Sequence, residues 1–290
     1  MRAVRSTPHV SSRGTIRLLL YSDRRSGGNP TTGSTYACVF NPNRNVRETE
    51  AVMSSVQSSE SSFSLSRMGG VLAFIQAFSV VFAIVGYFLW PHVFADHDAQ
   101  MVFEGIRRAP AEYFMKLDPI VLIGTLLQLP VYLGLWATLR QVDAAKSTLA
   151  LTLGVLSTVA VLTVRPIGEL YSLAAHYDSA LNLEQRQVFL AAGEALLAQF
   201  HGTAWAISII SGGLSAIVFA IVMRETTDFQ NATVWTMAIS GAGALLIWVP
   251  YIGLFALFVL GTVVGVVGSI LCGVDLLRLS NKLTEHSYPA

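Results

Sequence analysis

The sequence predicts an all-α, polytopic membrane protein: a bundle of six transmembrane helices behind a disordered N-terminal extension. Three observations predict it. Charged residues make up only 13% of the 290 residues and hydrophobic residues 53%, whereas a soluble domain carries about 25% charge. Mean hydropathy is +0.55. The apolar residues are gathered into six runs of 18 to 22 residues, the length that crosses a hydrocarbon layer of about 30 Å at about 1.5 Å per residue. The bilayer is therefore the partner that composition demands. A net charge of +1 offers nothing to a polyanion, so nucleic acid is not an expected partner.

Residues 1–67 differ from the rest. They hold nine of the nineteen basic residues, all arginine, beside only four acids, Asp23, Glu48, Glu50 and Glu60. The one apolar knot, Ile16 to Tyr21, is too short to span a bilayer or seed a core. This composition predicts disorder. Two further readings compete. An Arg- and Ser-rich, acid-poor leader resembles an organelle transit peptide. Alternatively translation starts at Met53, and the preferred reading is this second one, because the residues after Met53 form an ordinary short polar lead into a first helix.

The six-helix domain covers residues 68–283. The first crossing runs from Gly69 to Trp90, with Tyr87 and Trp90 placed for the headgroup layer and Pro91 ending it. A polar loop follows to Asp118, with short helices expected on either side of Pro110. The second crossing is Pro119–Leu139, kinked at Pro130, with Tyr132 and Trp136 marking the returning interface. A tight linker, Arg140 to Lys146, leads to the third crossing, Ser147–Val164, closed by Arg165-Pro166. The second long loop contains a short amphipathic helix from Ile167. A second helix there is capped by Asn182, with Gln185 at the N3 position of a capping box. This helix puts Phe189, Ala192, Leu196 and Phe200 on one face, as a helix packed on the bundle mouth or the membrane surface would. The fourth crossing is Gly202–Met223, the fifth Ala232–Val249 and the sixth Ile252–Gly273. Residues 284–290 form a tail.

Six crossings put both chain ends on one side. The segments on that side hold Arg67, Arg140, Lys146, Arg224, Arg278 and Lys282; the opposite loops hold Arg107, Arg108, Lys116, Arg165 and Arg186. The basic residues of the first set lie in short linkers, where the positive-inside bias is strongest. Both ends are therefore expected in the cytoplasm.

Ionisable residues inside a membrane point to function, and these crossings hold no Lys, Arg, Asp or Glu. Gln76 and Gln128 are their main polar side chains; helix–helix hydrogen bonding is the plain explanation, and a small-molecule carrier the functional one. In the first outer loop His92, Asp96, His97 and Asp98 lie close together, though not at helical metal-ligand spacing. Glu169 and His176 are seven residues apart, as are Glu194 and His201, so each pair shares a helix face. If the two helices pack, four ligand-type side chains converge and would hold a divalent metal for a membrane-surface hydrolase. The plain alternative is interfacial histidines and solvated acids, with no cofactor. Gly261, Gly265 and Gly268 form a small-residue face on the sixth crossing, and Ser211, Gly212, Ser215 and Ala216 a similar stripe on the fourth. Such faces serve packing within the bundle or a homodimer. Cys38 and Cys272 lie in unlike surroundings, so no disulfide framework is expected. There is no phosphate-binding glycine loop, no G-x-S-x-G, no C-x-x-C and no H-E-x-x-H.

Several local patterns together resemble a known family. They are Arg67-Met68-Gly69-Gly70-Val71-Leu72, Glu184-x-Arg186, Ala191-Ala192-Gly193-Glu194-Ala195-Leu196-Leu197 and Phe200-x-Gly202-Thr203-Ala204. Val222-Met223, Phe229, the turn at Pro250 and Gly253, and the Leu276 to Leu279 helix follow. From about Ser66 to Leu283 the chain resembles the bacterial six-helix membrane proteins grouped as domain of unknown function 4386. The long N-terminal extension departs from that pattern. The resemblance implies a six-helix bundle in a bacterial inner membrane, and carries over no activity and no catalytic residues. The expected function is a structural, partner-binding or lipid-binding role; the alternatives are the hydrolase on Glu169, His176, Glu194 and His201, and the carrier at the level of Gln76 and Gln128.

Overall fold

The computed structural model describes residues 42–89, 98–200, 202–246 and 254–287, and among the described residues every regular element is a helix. The first, α1 (Pro42–Leu89), starts well ahead of the predicted crossing. Composition predicts disorder through residue 67, but 42–67 are helical; residues 1–41 lie outside the described residues. The physical reason is cooperativity. Nucleating a helix is costly and extending one is cheap. Between Pro42, an N1-type proline, and the apolar run there is no glycine or proline to stop the extension.

The first loop folds into α2 (Ala99–Arg108) and α3 (Pro110–Lys116), which meet at Ala109 as Pro110 requires. Asp98 caps α2 by accepting the Met101 N–H at 2.7 Å. Then come α4 (Pro119–Leu139) and α5 (Ala144–Thr163). Pro130 sits inside α4 without ending it. Asp143 caps α5 through the Lys146 N–H at 2.9 Å. The second loop is α6 (Ile167–Ser179) and α7 (Leu183–Gln199), followed by α8 (Thr203–Arg224), α9 (Asn231–Leu246) and α10 (Leu254–Ser287). At α7 the expected cap is present: Asn182 Oδ1 accepts the Gln185 N–H at 2.8 Å. Gln185 returns the contact one residue early, accepting the N–H of Leu181 at 3.1 Å.

Among the described residues, five segments are long and apolar enough to cross a bilayer: Ser64–Gly86, Pro119–Leu139, Ala144–Ser179, Leu183–Arg224 and Leu260–Lys282. The sequence predicts six. The missing one, 232–249, falls on α9, which is described for 16 residues, and residues 247–249 lie outside the described ones. Two of the five segments carry more residues than a bilayer needs. Ala144–Ser179 is α5 followed by α6, and Leu183–Arg224 is α7 followed by α8. A 20-residue α5 already covers about 30 Å, so α6 and α7 are the surplus.

Two cores result. One joins α1, α4, α5, α8, α9 and α10 near the Met223 end, around Leu135, Leu139, Phe219, Met223 and Leu276, each fully buried. The other joins α2, α3, α6 and α7 into a cap, around Val102, Phe103, Leu117, Leu170 and Phe200. The cap is cross-braced by the Tyr171 hydroxyl, which donates to the Pro110 carbonyl. Among the long helices, α4 packs on α5, α5 on α8, α8 on α9 and α9 on α10. Glycine lets α1 close on both α4 and α10. A Cβ at Gly134 would stand 3.0 Å from the Leu65 carbonyl and 3.1 Å from the Gly69 Cα; one at Gly273 would stand 2.9 Å from the Gly70 carbonyl. Large apolar side chains face outward along the spans, among them Phe78, Ile123, Val159, Trp235 and Leu260. That is the surface expected of helices whose solvent is lipid.

Candidate functional site

Three buried charged side chains stand out among the described residues: Asp118, Arg165 and Asp275. Asp275 lies on α10 just past its apolar run, 1% exposed. Its carboxylate accepts the Gln230 backbone N–H at 3.1 Å, the Gln230 side-chain amide at 2.7 Å and the Thr233 hydroxyl at 2.6 Å. These donors form the start of α9, where unpaired N–H groups and the positive end of the helix dipole favour an anion. Asp275 thus caps a neighbouring helix. It forms part of a cleft of about 440 Å³ that Thr227 to Gln230, Arg278, Leu279, Asn281 and Lys282 complete. Arg278 lies 3.9 Å from the Asp275 carboxylate and is itself mostly exposed.

Asp118 and Arg165 pair at 3.6 Å at the other end of the long helices. Asp118 is the residue before Pro119 and takes the left-handed conformation, φ 61°, which costs an L-residue free energy but suits Asp better than most. Its side chain makes no cap hydrogen bond to α4 and turns to Arg165 instead. The Arg165 guanidinium also reaches the carbonyls of Val164 and Phe200, at 3.3 and 3.5 Å. It stacks over the rings of Phe200 and Trp205, at 5.0 and 4.7 Å. One side chain therefore ties together the α3/α4, α5/α6 and α7/α8 junctions.

The described members of the four-residue metal candidate each have local contacts or exposure of their own. Glu194 Oε1 accepts the Ala99 N–H at 2.6 Å and so caps α2. His176 Nδ1 lies 2.7 Å from the Ser172 carbonyl, and its ring packs on Phe189 at 5.7 Å. Glu169 is exposed. His201 lies outside the described residues, as do His92, Asp96 and His97. Among the described residues no group of three or more His, Cys, Asp or Glu is placed to hold a metal.

Gln76 is buried on α1, and its backbone carbonyl accepts the Ser79 hydroxyl at 2.8 Å. Gln128 is half-buried on α4; Tyr132, one turn further on, stacks on Phe219 of α8 at 5.9 Å, and Ser215 of α8 donates to the Ala150 carbonyl of α5 at 2.7 Å. This is a packing network between α4, α5 and α8. The glycine face of α10 meets α9: a Cβ at Gly265 would stand 2.9 Å from Ser240 Oγ, and one at Gly268 3.2 Å from Thr236 Oγ1. Gly261 faces Gly243. The stripe on α8 is divided, Gly212 meeting Ser157 and Ser215 bonding the Ala150 carbonyl on α5, while Ala216 lies against Gly241 on α9.

Sequence reasoning passed over Asp275, Asp118 and Arg165. A signal exists for each. Asp275 is a lone acid between Val274 and Leu276 at the end of an apolar run, and Asp118 and Arg165 each precede a proline at the mouth of a crossing. No protein-family model, no curated protein and no solved structure matches this chain.

Proposed function

We propose that the chain is a six-crossing integral membrane protein of a bacterial cytoplasmic membrane, with both ends cytoplasmic, that acts by binding a partner or lipid. The observation that carries this reading is the use made of buried charge. Asp118 and Arg165 neutralise each other across a helix junction, and Asp275 is spent on the first turn of α9. A proton-coupled carrier or a hydrolase needs an ionisable group that a substrate can reach and that changes its partner during the cycle. The three buried charged side chains described, Asp118, Arg165 and Asp275, are already committed to holding helices in place.

In this reading α9 is the fifth crossing, continued by residues 247–249. Arg67, Arg140, Lys146, Arg224, Arg278 and Lys282 then share the cytoplasmic side, in the short segments where positive charge sets orientation. The test uses a reporter active only in the cytoplasm, fused after Asp228, after Pro250 and after Ala290. Activity at Asp228 and Ala290 with none at Pro250 supports the reading. Equal activity at Asp228 and Pro250 would show that α9 does not cross, and the six-crossing topology would fall.

A further inference from the structure

The cleft beside Asp275 is built like a lipid headgroup site, and we infer that it holds the headgroup of an aminophospholipid, a phosphate ester bearing a primary amine. The inference deepens the membrane reading above and rests on it. Four charged residues line the cleft, Asp228 and Asp275 against Arg278 and Lys282, so its formal charge is balanced, with Arg278 3.9 Å from the Asp275 carboxylate. Asp275 is sealed beneath by its three donors. What faces the opening is one acid from the α8–α9 turn and two bases one helical turn apart on α10. A phosphate fits between Arg278 and Lys282, and an ammonium beside Asp228. A purely anionic ligand would leave Asp228 opposed to it. The floor is Phe229 and Leu279, both buried in the apolar core.

The second observation is where the cleft sits. Arg278 and Lys282 occupy the last turns of the apolar segment Leu260–Lys282, which places them at the headgroup level. At about 100° per residue, Val267 and Leu260 lie eleven and eighteen residues back on nearly the same helix face as Arg278. Both are exposed, by 44% and 57%. A headgroup seated on Arg278 therefore has an outward apolar stripe directly below it for its acyl chains. A soluble amino-phosphate would gain nothing from that stripe.

The full chain is reconstituted in phosphatidylcholine nanodiscs containing either phosphatidylethanolamine or phosphatidylglycerol, and lipid retained after mild detergent extraction is counted by native mass spectrometry. One phosphatidylethanolamine retained in preference to both other lipids is the expected result. Asp228→Asn should erase the preference over phosphatidylcholine. Arg278→Gln and Lys282→Gln should each weaken retention of the lipid about fivefold. Equal retention of the three lipids, a preference for phosphatidylglycerol, or variants that behave as wild type would overturn the assignment. So would displacement of the lipid by an equal concentration of free O-phosphoethanolamine, which would make the ligand a soluble amino-phosphate. A chain that does not enter the nanodisc at all would overturn the membrane reading itself, and this inference with it.

Discussion

Arg165 holds together more of the chain than any other polar side chain described above. It is 8% exposed and pairs with an Asp118 that is equally buried. Removing one partner of such a pair leaves the other charge uncompensated, which costs about 3–5 kcal/mol. Arg165→Met should lower stability by about that amount in thermal unfolding followed by circular dichroism in detergent. Arg165→Lys should fall between, since it keeps the charge but loses the planar stack on Phe200 and Trp205. Asp143 is a contrasting residue, only half-buried at the start of α5. The Lys146 backbone N–H and then the Lys146 side chain hold its carboxyl below the ordinary aspartate range. The folded value is depressed, so the stabilisation is complete above the unfolded pKa of about 3.9 and disappears as pH falls through the folded value. The melting temperature of wild type should exceed that of Asp143→Ala at neutral pH, and the difference should close on acidification below that point. A difference that persists unchanged at pH 2 would count against the cap.

At the scale of elements, the long helices are set by how closely their backbones approach. Gly134 and Gly69 touch through backbone atoms, which cannot swing aside as a side-chain tip can. Gly134→Ala should therefore cost about 1–3 kcal/mol through overpacking. Gly168, inside α6, meets nothing within 4 Å, so Gly168→Ala should stabilise by about 0.5–1 kcal/mol from helix propensity alone. The same melting experiment reads both, and a matched loss in the two variants would refute the close-packing account. Helix ends are legible from sequence where a single residue does the work, as at Asn182 and Pro110. They are not legible where the cap comes from elsewhere. The start of α9 is held by Asp275 from α10, and that of α2 partly by Glu194 from α7, contacts that span 45 and 95 residues.

The whole molecule has two parts with different solvents. The long helices bury their small residues inward and turn large apolar ones out, so their packing is braced by lipid. The cap of α2, α3, α6 and α7 has its own core and exposed polar faces, as a water-facing unit does. Arg165 is a polar link between them, since it bonds at the α3/α4, α5/α6 and α7/α8 junctions. Cap helices should therefore open as a unit below the global unfolding free energy. In hydrogen exchange, Arg165→Gln should speed exchange throughout α2, α6 and α7 while α5 and α8 keep their protection. Uniform loss of protection in both parts would show a single cooperative unit instead.

The amino-acid sequence by itself determined the class of this protein. Apolar runs of bilayer length, free of charge, report on a local property, the free energy of moving consecutive residues from water to hydrocarbon, and no tertiary contact is needed to sum it. It also placed the loop helices, because Pro110 and Asn182 act on their own turns. The tertiary structure alone decided where the polar groups meet. Glu169, His176 and Glu194 sit at spacings that share helix faces, and only the packing shows Glu194 accepting the Ala99 N–H at the start of α2, where unpaired N–H groups favour a carboxylate. Asp275 reads as an ordinary acid after a crossing until α9 is set against it. Helical spacing says which side chains share a face; which neighbour that face meets depends on packing between segments far apart in the chain.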